Sequence, residues 1–142
     1  MGLDNGITVR FRHGKEPKWA KRLYVYDARP KDGFGGEFEL AYWRKCWNVR
    51  RAIIGELAKA GRQEDDCGYH LSADELRGVC EAVGKVLNRK DWDEGHSYGD
   101  TIWEWDEVGS DMKRQNRRCL KAAKRLSGMN PWDYSLRFYD SY

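Results

Sequence analysis

The chain has 142 residues, 40% apolar and 35% charged, with a net charge of +3. That is the size and composition of a single globular domain spanning 1–142, and it argues against wholesale disorder. No apolar run approaches the roughly 20 residues of a membrane span. A mild +3 does not by itself announce a nucleic-acid partner.

In chain order, Gly6–Arg12 alternates Ile7, Val9 and Phe11 against Thr8, Arg10 and Arg12, the period of a half-buried strand. A turn at Pro17 leads to a second alternation, Leu23 and Val25 against Tyr24 and Tyr26, so 6–27 is expected to be a β-hairpin. Arg29–Gly36 reads as a loop, because Pro30, Gly33, Gly35 and Gly36 interrupt either period. Tyr42, Cys46, Val49, Ile53, Leu57 and Ala60, spaced by three and four and widened by Trp43, Trp47 and Ile54, predict a helix over 39–60 with Gly61 as its C-cap. Gly68–Leu71 is a candidate short strand. Ser72-Ala73-Asp74-Glu75 is a capping box that opens a helix over 73–88 with Leu76, Val79, Cys80, Val83 and Leu87 inward. After the acidic, Trp-bearing stretch Asp91–Glu107, a third helix is expected over 112–126 and a last strand over 134–139. Strands and helices are partly segregated, which predicts an α+β fold with a small, mostly antiparallel sheet against three helices.

Charge is distributed in blocks. Residues 1–62 carry 14 basic and 7 acidic side chains (+7), 63–112 carry 4 and 14 (−10), and 113–142 carry 8 and 2 (+6). The four cysteines, Cys46, Cys67, Cys80 and Cys119, form no CxxC pair and accompany no secretory signal, so a reduced protein of the cytoplasm is expected.

Several segments together resemble a known family. MGLD at the start, ELAYWRK (Glu39–Lys45), LSADELRGVCEAV (Leu71–Val83), the W-x-W-D-E region (Trp103–Glu107) and the terminal FYDSY (Phe138–Tyr142) follow in order. They are similar to a family of small uncharacterised proteins of phages, prophages and bacteria. MGLD and YWRK are the specific elements, and Asn5-Gly6 departs from the large residues usual after MGLD. The resemblance implies a phage or prophage context in a bacterial host cell and carries no activity with it.

Candidate sites come from the residues alone. Lys113, Arg114, Arg117, Arg118 and Lys121, with Lys124 and Arg125, make the third helix basic and amphipathic. It is either a phosphate or acidic-partner contact, or a solvated face neutralised by the acidic segment 91–111. Arg10, Arg12, Tyr24 and Tyr26, with Arg137 and Tyr139, are expected on one side of the sheet. There they either stack bases and hold phosphates or simply stabilise the strands. Trp103 and Trp105 are either a lid over the core or the anchors of a partner-binding patch. Asp66, Cys67 and His70 are the only weak metal candidates, so no metal and no cofactor is expected. His13, His70 and His96 belong to no catalytic motif. A loop-borne site near Asp65–His70 or His96–Asp100 is the enzymatic alternative to a binding protein whose partner is a host or phage protein, with nucleic acid as the second partner class and no membrane.

Overall fold

A computed structural model describes residues 4–44, 47–62, 68–88 and 102–141, and of positions 4, 44, 47, 48, 102–109 and 141 the backbone alone. Five strands, β1 (Asp4–Arg12), β2 (Val25–Asp27), β3 (Phe34–Arg44), β4 (Tyr69–Leu71) and β5 (Tyr134–Ser141), form one antiparallel sheet in the order β2-β3-β1-β5-β4. Three helices, α1 (Trp47–Lys59), α2 (Ala73–Leu87) and α3 (Ile102–Leu126), supply the rest of the core. The fold is therefore α+β. α2 packs against both α1 and α3, and α3 also reaches β3.

The alternation read in β1 is the axis of the molecule. Ile7, Val9 and Phe11 are fully buried, and β1 is flanked by β3 and β5. The expected hairpin over 6–27 is corrected: β2 pairs with β3, not with β1. The 3₁₀ turn Lys18–Arg22 lies between the two alternating runs. The true hairpin closes at Asp32-Gly33, both at positive φ (53° and 83°), with Lys31 and Phe34 exchanging backbone hydrogen bonds of 3.1 and 2.9 Å. Positive φ at both central residues gives a turn whose twist matches the flanking strands, and Asp-Gly suits it.

The helix expected over 39–60 is corrected at its start. Residues 39–44 continue β3, and the helix begins at Trp47. The cause is a bulge: Ile7 pairs with Ala41 but Thr8 with Glu39, leaving Leu40 as the extra residue. Leu40, Ala41 and Trp43 are consequently all buried, which breaks the two-residue period and imitates a helical stripe. Val49, Ile53 and Leu57 of the expected stripe do form the buried side of α1, which ends with Arg62 N–H donating to Leu57 C=O. At α2 the capping box forms as read: Glu75 N–H donates to Ser72 Oγ (3.1 Å), and Ser72 N–H to Glu75 Oε1 (3.0 Å). α3 starts ten residues earlier than expected, so 102–111 belongs to the helix.

Candidate functional site

The helices cover the side of the sheet that bears Ile7, Val9, Phe11, Leu136 and Phe138. Alternation sends their neighbours to the other side. Strand register puts Thr8 beside Arg137 and Glu39, Arg10 beside Glu37 and Ser135, and Gly6 beside Tyr42 and Tyr139. At the centre of this open face stands Glu37, only 3% exposed. It accepts from Thr8 Oγ1, from Arg10 Nη2 (3.1 Å), and from Arg137 Nε and Nη2 (3.2 and 2.8 Å). A buried carboxylate is tolerable only when paired and hydrogen-bonded in this way. Arg10 also donates through Nη1 to the carbonyls of Arg29 (3.0 Å) and Gly35 (3.1 Å), tying the β2–β3 hairpin to β1.

Beside this charged centre lies an aromatic one. The Tyr139 ring lies over Gly6, where a Cβ would come within 2.4 Å of it, so only glycine admits that approach. There Tyr139 meets Tyr26, with ring centroids 5.1 Å apart, and Arg137 lies 5.5 Å from the Tyr139 centroid. Burial, then the neighbouring Tyr26 and Glu39, raises the Tyr139 phenol well above its ordinary range. Burial likewise raises Glu39, with Arg118 pulling the other way. Asp27 is held down at about 2 by hydrogen bonds from Arg29. Tyr26, Phe34, His70, Ser135 and Arg137 border a groove of about 770 Å³ above Arg10 and Glu37. At the adjacent edge, Tyr24 (68%), Val25 (45%) and Tyr26 (42%) form a run of exposed apolar side chains.

Of the expected set, Arg10, Tyr26, Arg137 and Tyr139 thus meet on the side of the sheet away from the core, and Tyr24 lies just before β2 at its exposed edge. Arg12 lies at its margin, over the Phe34 ring and donating to the Trp132 carbonyl. Glu37, the residue that organises the face, and the Asp32-Gly33 turn that carries its rim were absent from the expected site. The Asp-Gly pair between two apolar runs was the signal that could have revealed the turn.

The basic helix forms a separate surface. Lys113, Arg114, Arg117, Arg118, Lys121, Lys124 and Arg125 are all exposed, and Met112, Asn116, Cys119, Ala122, Ala123 and Leu126 are buried. Arg114 pairs with Asp111. Arg118 donates to Leu40 C=O (3.1 Å) and to Gln115 Oε1 (2.7 Å), and Arg125 covers the Trp19 ring. Lys113, Arg117, Lys121 and Lys124 make no ion pair with a described residue. Of the acidic segment expected to neutralise this helix, 91–101 lies outside the described residues. The remaining 102–111 is the first part of the same helix.

Trp103 and Trp105 stand on α3, but their side chains lie outside the described residues, as do Asp66, Cys67 and His96. His70 is exposed on β4, opposite Arg137. Cys80 and Cys119 are free and buried between α2 and α3; hydrogen bonding to Cys80, with burial, raises the Cys119 thiol. Among the described residues no helix is long and apolar enough to cross a membrane. No protein-family profile, curated protein or solved structure matches the chain significantly.

Proposed function

We propose that the chain acts by binding, and that a protein of the host or the phage docks on the open sheet face in the bacterial cytoplasm. The observation that carries this reading is the exposed run Tyr24-Val25-Tyr26 beside the Tyr26–Tyr139–Arg137 stack. Tyrosine is among the residue types that concentrate binding energy at protein interfaces, where a rigid aromatic loses little entropy on docking. The face is a poor fit for a nucleic-acid strand. Asp27, Glu37 and Glu39 belong to it, and Arg10 is already committed to Glu37 and to two backbone carbonyls.

The test is affinity capture of the tagged chain from bacterial lysate, with and without nuclease, followed by mass spectrometry. A stoichiometric protein partner should survive nuclease and be lost with the double variant Tyr24→Ala/Tyr26→Ala. A partner set that disappears with nuclease, or that ignores the double variant, counts against the reading.

A further inference from the structure

We infer that the outer side of α3 is a second, independent contact surface, and that it takes the phosphate backbone of a nucleic acid along Lys113, Arg117, Lys121 and Lys124. At about 100° per residue these four positions fall within roughly 80° of the helix circumference. That arc is centred almost opposite the buried Met112, Cys119, Ala123 and Leu126, so the row points straight away from the core. It extends about 16 Å, with steps of about 6 Å between Lys113, Arg117 and Lys121. A duplex presents a charge every 3.4 Å or so along each strand, so steps of about 6 Å bring a rigid row to about every second phosphate without rearrangement.

Three features favour a polyphosphate over an acidic protein surface. No acidic residue occurs from Met112 to Leu126, so the row has no carboxylate of its own to repel phosphates. None of the four is paired with a described residue, in contrast to Arg114, Arg118 and Arg125 beside them. The row also holds three lysines and no aromatic or large apolar side chain. Lysine is depleted from protein–protein interfaces, which rely on aromatic and arginine anchors, whereas nucleic-acid interfaces are polar and strongly positive. Lysine and arginine contacts to phosphate carry no base information, so the binding is independent of sequence. The acidic residues Glu104, Asp106, Glu107 and Asp111 in the first half of α3 confine the contact to its second half.

The experiment is fluorescence anisotropy of the full chain with a labelled duplex DNA of about 20 base pairs, repeated with single-stranded DNA and RNA of the same length. For four phosphate contacts on the duplex, the slope of log K against log salt should be about −4 between roughly 50 and 200 mM. Arg117→Glu/Lys121→Glu should weaken binding more than about tenfold at the lower salt, and Lys121→Gln alone should flatten the slope by about 1. Both residues are exposed, so circular dichroism melts of the variants should match the parent. Tyr24→Ala/Tyr26→Ala should leave this binding unchanged, which separates a failure here from a failure of the sheet-face reading. No binding to any of the three nucleic acids at low salt overturns the inference. So does binding that ignores the α3 variants, or that polyglutamate competes away as well as DNA does at equal charge.

Discussion

The open sheet face and the outer side of α3 both carry rows of cations, but the cations do different work. On the sheet, Arg10 and Arg137 converge on one buried carboxylate, and Arg29 closes on Asp27. Their charge is spent inside the molecule, holding strands and hairpin in register. On α3, Lys113, Arg117, Lys121 and Lys124 face solvent with no partner among the described residues. A guanidinium already bonded to a carboxylate and carbonyls offers little to a ligand, whereas an unpaired lysine gives up only water and counterions. Counting basic residues would rank the two faces alike; following their hydrogen bonds separates them.

That contrast can be broken by mutation, and the largest effect should come from Glu37→Ala. It leaves Arg10 and Arg137 without their shared partner in a partly buried site, and should cost about 3–5 kcal/mol in urea unfolding. A loss below about 1 kcal/mol would show that the network is not structural. Gly6→Val comes next. Its side chain must displace the Tyr139 ring, at a cost of about 1–3 kcal/mol.

On α3 the inward side should matter and the outward side should not. Asn116 Nδ2 donates to Cys80 C=O at 3.0 Å within the α2–α3 contact, so Asn116→Ala should lose about 1 kcal/mol in the same assay. Lys121→Ala should stay within about 0.5 kcal/mol of the parent.

Titration sharpens the contrast from the sheet side. The folded state raises the Tyr139 pKa above the ordinary 10.0, so the unfolded chain releases that proton first, and stability should fall as pH rises beyond 10.0. Ultraviolet titration should show a late phenol that Tyr139→Phe removes and Gly6→Ala brings back towards the ordinary range. Asp27 runs the opposite way: depressed from 3.8 to about 2, its contribution is present above 3.8 and is lost as pH falls through 2. NMR titration of Arg29→Ala should return Asp27 towards 3.8.

Much of this architecture was legible in the sequence where one period ran uninterrupted. β1 and β5 alternate cleanly, and Ser72–Glu75 announces α2 through a reciprocal pair of hydrogen bonds that any helix start can use. The second half of β3, residues 39–44, imitates a helix because the bulge at Leu40 makes adjacent residues face inward, an event that strand period alone does not encode. Chain proximity favours a hairpin of β1 with β2. The sheet instead interposes β3, which the Asp32-Gly33 turn folds back onto β2. The side-by-side placement of Arg10, Tyr26, Arg137 and Tyr139 followed from alternation. Glu37 was missed because an isolated acid in a loop-like stretch does not reveal that two arginines from other strands will close on it.

The sheet ends on both sides in three-residue strands, β2 and β4, and the pairing of β2 shifts register at Tyr26. Short, irregular borders of this kind give a foreign strand little ladder to extend. Copies of the chain are thereby discouraged from zipping into filaments, even with Tyr24 and Val25 bare at one border. A visitor to that border must recognise the side chains displayed there, because the backbone offers almost nothing to copy.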